Sequence, residues 1–154
     1  MSKQKEVNIH ASCVAIGGAG VLLLGPSGAG KSDLALRLID DGARLIADDR
    51  VILSAGKGVL SARAPETIRG LIEIRGVGII ALPARRSAPV RLAVMLGREG
   101  PRLPAPRSYA CPFRLTREVP LIALDARRAA TPAKIRAALK AFTRGLFRDN
   151  FNPK

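Results

Sequence analysis

Val21-Leu22-Leu23-Leu24-Gly25-Pro26-Ser27-Gly28-Ala29-Gly30-Lys31-Ser32 is the stretch that decides the fold. Its first four residues are an unbroken apolar run of strand length. Gly25 to Ser32 then matches G-x-x-x-x-G-K-[ST], the phosphate-binding P-loop. Asp33 to Ile39 follows as a helix, with Leu34 and Leu38, and Ala35 and Ile39, at i, i+4 spacing. Strand, glycine loop and helix are the context the motif needs. The glycines allow the turn that points successive N–H groups at phosphate oxygens. The helix N-terminus adds its positive dipole end. Lys31 is expected on the β- and γ-phosphates of a nucleotide and the Ser32 hydroxyl on Mg²⁺.

Working outward, Val7–Ile16 reads as one strand and Gly17-Gly18-Ala19-Gly20 as a turn. So short a turn cannot make a parallel crossover, so Val21–Leu24 must return antiparallel. The helix runs from about Gly30 to Asp40 and ends at Gly42. Leu45–Ala47 is a short strand closed by Asp48-Asp49. Val51–Ser54 and Val59–Ala62 flank the turn Gly56-Lys57-Gly58 as a hairpin. Pro65–Ile68 starts a single helical turn. Leu71–Arg75, Val77–Leu82, Val90–Leu96 and Val119–Leu124 read as strands, and the proline-rich stretch 97–112 as a loop. Thr131 as N-cap and Pro132 at N1 open a last helix. Its apolar stripe is Ile135, Leu139, Phe142 and Leu146. Arg136, Lys140, Arg144 and Arg148 form a repulsive i, i+4 row, expected to stay in water or meet an anionic partner. Few helices stand against many strands. The expectation is an α/β fold with a mixed sheet and extra hairpins, and one domain over residues 1–154.

Composition narrows the function. Lys and Arg number 26 against 12 Asp and Glu, a net charge of +14. The arginines are scattered, and no RNA- or DNA-binding signature accompanies them, so nucleic acid is not the expected partner. At 3% aromatic residues and no Trp, there is little for base stacking. Cys13 and Cys111 are too few for a disulfide framework or a metal knuckle, and a reduced cytoplasmic setting fits. The span Asn8–Gly30 carries no charge, but six glycines and Pro26 break it and it ends in the P-loop, unlike a secretory signal. No apolar run reaches membrane-spanning length.

Five further residues are candidates to carry chemistry. His10, the single histidine, lies on the strand expected beside the P-loop strand. Asp48-Asp49 ends a short apolar strand, where P-loop proteins place a metal-organising or proton-accepting carboxylate. One of the pair is expected to serve structure and the other, Asp49, to accept a hydroxyl proton. Glu73 and Arg75 share one strand face in Glu73-Ile74-Arg75-Gly76-Val77-Gly78-Ile79-Ile80. Glu73 can supply Mg²⁺ with an oxygen beside Ser32, and Arg75 can stabilise phosphoryl charge. The plainer reading of that pair is a surface salt bridge.

His10, the P-loop, Ala47-Asp48-Asp49-Arg50-Val51 and the Glu73–Ile80 segment, in this order and spacing, resemble the catalytic domain of HPr kinase/phosphorylase over residues 7–82. The resemblance implies a P-loop kinase domain related to phosphoenolpyruvate carboxykinases, in a short form without the family's N-terminal domain. It implies Mg-ATP-dependent phosphorylation of a serine on HPr, the phosphocarrier of the sugar phosphotransferase system, and phosphorolysis with inorganic phosphate in many members. Asp49 falls on the family's catalytic acid/base, Lys31 and His10 on active-site positions, and Ser32 and Glu73 on the Mg²⁺ ligands. A family arginine falls near Arg102. A homohexamer is the family's assembly. Two stretches depart from the pattern: Ala81–Ser87 is shorter than the family loop, and Val119–Arg128 differs from the segment tied to dephosphorylation. A nucleotide-sensing regulator without kinase activity is the alternative reading.

Overall fold

The computed structural model describes residues 5–148. Among these, the elements run β1 (Glu6–His10), β2 (Ser12–Ile16), β3 (Ala19–Leu24), α1 (Lys31–Asp40), β4 (Arg44–Ala47), β5 (Arg50–Gly56), β6 (Val59–Arg63), β7 (Leu71–Ile74), β8 (Gly78–Ala81), β9 (Ser87–Leu96), β10 (Leu121–Leu124) and α2 (Thr131–Arg144). A 3-10 turn lies at Glu66–Ile68. The main sheet has the order β1-β5-β6-β9-β3-β2-β4, with β10 on β9, and β7-β8 form a separate hairpin. It is the mixed sheet with few helices and added hairpins that the sequence predicts. The single domain expected over residues 1–154 extends beyond the described residues at both ends.

The expected strand Val7–Ile16 is two strands. β1 alternates exposed and half-buried residues and pairs β5, whereas β2 is almost wholly buried between β3 and β4. The pattern changes at Ala11, from one apolar face to two. A strand covered on both sides can be apolar throughout, and an edge strand cannot. β3 returns antiparallel to β2 as expected and runs parallel to β9.

β9 ties the sheet together. Ser87–Pro89 pair β6, residues 90–95 pair β3, and Ala93–Leu96 pair β10. The register shifts by one residue between the Gly20–Val90 and Val21–Leu92 pairs. One extra residue flips the alternation. Hence Ala88 and Val90 face one apolar cluster, while Leu92, Val94 and Leu96 face the other. The second cluster takes α1 through Leu34, Ala35 and Leu38, and α2 through Ile135 and Leu139. The first fills the curl of the sheet under Tyr109 and Cys111 of the proline-rich loop and Phe113 and Leu115 just after it.

α2 departs from its expected cap and faces. Ala130 holds the N-cap position, and the Thr131 hydroxyl donates to the Asp125 carbonyl at 2.5 Å instead. Ile135 and Leu139 are buried, but Phe142 and Leu146 are exposed. Arg136 leaves the expected repulsive row, because its guanidinium donates to the Leu38 carbonyl of α1 at 3.0 Å. A cation there meets the negative end of the α1 dipole. Among the described residues, no helix is long and apolar enough to cross a membrane.

Candidate active site

β3 delivers the chain into the P-loop and α1 carries it away. Gly25 has a φ of +140°, and a Cβ there would lie 2.8 Å from the Leu96 carbonyl oxygen. The loop can therefore pass so close to β9 only with glycine at this position. Gly30 caps α1 in the left-handed region with a φ of 96°. Lys31 is the first helical residue and is buried. Its ammonium donates to the carbonyls of Gly25 at 2.7 Å and Pro26 at 3.0 Å, across the loop. Burial pulls the Lys31 pKa below its usual value, and the charges of Asp49 and Asp48 act against that pull.

The two adjacent aspartates sit in the β4–β5 turn and take different partners. Asp48 is buried; its Oδ1 accepts from the Ser32 hydroxyl at 2.6 Å and from the Ser12 hydroxyl at 2.9 Å. The Asp49 Oδ1 lies 2.9 Å from His10 Nε2. With the carboxylate ionised, that nitrogen is the donor. Asp49 has a φ of 71°, a left-handed backbone that aspartate adopts more readily than most residues. This single residue turns the second carboxylate away from the first. The two carboxylates diverge, one inward and one toward the cleft.

His10, Ser12, Ser27, Gly28, Gly30, Lys31, Ser32, Asp49, Glu73 and Arg75 line one cleft of about 470 Å³. Lys31, Ser32, His10, Asp49, Glu73 and Arg75, far apart in sequence, are thus brought together. Glu73 and Arg75 lie on β7 and just after it, whose inner residue Ile72 is buried in the helix-side cluster. They form no ion pair with each other or with another described residue. The salt-bridge reading of the pair is not what the structure has. The Ser32 hydroxyl bonds Asp48 rather than Glu73. Arg102 is not at this cleft; it lines a second cavity with Glu99, Arg107 and Lys134.

Hydroxyl and carboxylate oxygens from Ser32, Asp48 and Glu73 are the hard donors a Mg²⁺ ion takes, usually few from protein and the rest from water and phosphate. The set fits that ion. Ser12 was not singled out from the sequence, although it left a trace there. It is the only hydroxyl in the otherwise apolar run Ala11–Ile16, and a buried hydroxyl needs a partner. The left-handed backbone of Asp49 left none.

A family model described as the HPr Serine kinase C-terminal domain matches residues 2–85. HPr kinase/phosphorylase of Caldanaerobacter subterraneus is 53% identical over 76 residues, which are 49% of this chain and 25% of that protein. The Lactobacillus acidophilus HPr kinase/phosphorylase is 51% identical over 77 residues, 49% of this chain and 24% of that one. The match thus spans about a quarter of the length of these curated relatives. A solved structure described as the Hpr(Ser) kinase/phosphatase from Coxiella burnetii aligns over 91% of this chain and 98% of its own, with a TM-score of 0.76 and 26% identity.

Proposed function

The chain belongs to the HPr serine kinase C-terminal domain family, and on that premise we propose that it is a Mg-ATP-dependent kinase that phosphorylates a serine of HPr. The observation that carries the reading is the pairing of Asp49 with His10 on the wall of the P-loop cleft. Lys31 and the glycine loop suffice to bind a nucleotide; an exposed carboxylate set beside them adds a group able to take the proton of an attacking hydroxyl.

In this reading the P-loop and Lys31 bind the triphosphate. Lys31 exchanges the Gly25 and Pro26 carbonyls for phosphate oxygens. Asp49 accepts the proton of the attacking serine hydroxyl as its oxygen bonds to the γ-phosphorus, and the bond to the β–γ bridging oxygen breaks. ADP leaves with that electron pair. His10 holds the Asp49 carboxylate in place, and Arg75 faces the phosphoryl charge. Ser32, Asp48 and Glu73 would hold Mg²⁺, which neutralises phosphate charge when bound. Catalysis is then positioning and electrostatics, with no phosphorylated enzyme. Family resemblance alone supports phosphorolysis by inorganic phosphate and a homohexamer.

The test is to incubate the protein with Mg-ATP and HPr from the same genome and to measure the mass of HPr. The expected result is the gain of one phosphate, located on a serine by fragmentation. Unchanged HPr with intact nucleotide binding would sink the reading in favour of a nucleotide sensor.

A further inference from the structure

We propose that Ser12 is a positioning residue that assigns the two adjacent aspartates their separate tasks, and through Asp48 sets the affinity of the site for its divalent cation. The inference rests on the reading of the cleft as a Mg-nucleotide site. Ser12 is fully buried, at the first position of β2, directly after the break at Ala11. Its hydroxyl donates to Asp48 Oδ1 at 2.9 Å and accepts from the Asp49 backbone N–H at 3.4 Å. One oxygen therefore holds the side chain of one aspartate and the main chain of the next.

The consequences follow from counting bonds. Asp48 Oδ1 receives two hydroxyl donors, Ser12 and Ser32. Ser32 is the residue that must present its oxygen to the cation, and it does so in a fixed direction only while its proton points at Asp48. Asp48 in turn keeps its orientation through Ser12, its other hydroxyl donor. On the other side, the left-handed Asp49 is tied to the β1–β2 break by two bonds. One is its N–H to Ser12; the other runs from the Ala11 N–H to the Asp49 carbonyl at 3.2 Å. Without the Ser12 hydroxyl, Asp48 loses one of its two hydroxyl donors and Asp49 loses one of its two backbone ties.

The experiment compares wild type with Ser12→Ala, Ser12→Cys and Ser12→Thr. The cysteine variant fills similar space with a weak donor and serves if the alanine protein does not fold. The threonine variant restores the hydroxyl. Mn²⁺ is the metal probe, its binding to the protein–ADP complex read by electron paramagnetic resonance, and ADP binding is measured separately in EDTA. Outer-shell partners of metal ligands typically govern 10- to 100-fold in affinity or activity. We expect Mn²⁺ affinity to fall about 10-fold in the alanine and cysteine variants, ADP affinity in EDTA to hold within about twofold, and threonine to recover the metal affinity. In the HPr assay, kcat should fall by a similar factor with KM for HPr unchanged. Wild-type Mn²⁺ affinity in the folded alanine or cysteine variant would overturn the proposal. So would equal loss of metal and metal-free ADP binding, which marks a merely structural role. Absence of phosphoryl transfer in wild type would sink the kinase reading alone, since the Mn²⁺ comparison still decides the role of Ser12.

Discussion

His10 and Asp49 are joined at 2.9 Å across the start of the β1–β5 ladder, where His10 stands opposite Arg50. The pairing that holds an edge strand in the sheet thus also fixes the distance between these two groups. Asp49→Asn preserves shape and removes the proton acceptor. We expect transfer to HPr to fall by about 10²–10⁴-fold, the range of general base catalysis. Binding of Mg-ATP, followed by calorimetry, should stay within a few-fold of wild type. Loss of binding in parallel with transfer would contradict the assigned role.

The φ of 71° at Asp49 has a stability cost. Left-handed backbone costs a residue with a side chain about 1–2 kcal/mol relative to its preferred region. Asp49→Gly should therefore be more stable than Asp49→Ala by about 1 kcal/mol in urea denaturation, while both are inactive. An alanine variant as stable as the glycine one would show that the turn relaxes at no cost.

Cys13 is wholly buried, and burial pushes its thiol from 9.0 up to about 12. Iodoacetamide at pH 8 should therefore leave Cys13 untouched in the native protein and modify it only after unfolding, as peptide mapping will show. The same shift has a stability consequence. The folded state keeps the proton to about pH 12, while the unfolded chain releases it from about pH 9, so the native state holds more protons in between. Stability must fall as pH rises through that window, by at most about 1.4 kcal/mol per pH unit from this thiol. Relative to Cys13→Ala, wild type should show that extra loss above pH 9 and none below it.

Among the described glycines, Gly58 is where an added Cβ would come closest to a neighbouring atom. Its φ is +76°, and a Cβ there would fall 1.8 Å from the Thr116 hydroxyl oxygen and 3.0 Å from the Thr116 backbone nitrogen. The Thr116 N–H donates to the Gly58 carbonyl at 2.9 Å, so the loop cannot simply step back. Backbone strain of about 1–2 kcal/mol and overpacking of about 1–3 kcal/mol put Gly58→Ala at about 2–5 kcal/mol of destabilisation. Chemical denaturation checks this, and Thr116→Ala in the same chain should recover the overpacking part.

The P-loop, its strand and its helix could be read directly, because their order in sequence is their order in space. The antiparallel return of β3 followed from a turn too short for a crossover. The neighbourhood of Asp48 was harder. Its partners Ser12 and Ser32 lie 36 and 16 residues away, and only the β2–β4 pairing brings Ser12 across. The split of residues 7–16 was hidden because no glycine or proline marks Ala11; only the change from an alternating β1 to a mostly buried β2 separates the two strands. The threonine expected to cap α2 donates instead to Asp125, a choice made by the preceding loop. Arg136 looked like one of a row of solvent cations, and nothing local tells that α1 ends beneath it.

The family match ends at residue 85, and β9 begins at Ser87. The recognisable part of the chain carries Lys31, Asp49 and Glu73, yet it lacks the strand on which β3, β6 and β10 all pair. In the middle of the sheet, β3 closes onto a partner some seventy positions later, a contact of high loop-closure entropy. The P-loop thus acquires its foundation late, only after the less recognisable half has been made. A fragment cut at the edge of the recognisable sequence would hold the candidate-site residues without the strand that joins β6 to β3. The candidate site draws on residues 10–75, while the strand that joins the two parts of its sheet comes after them.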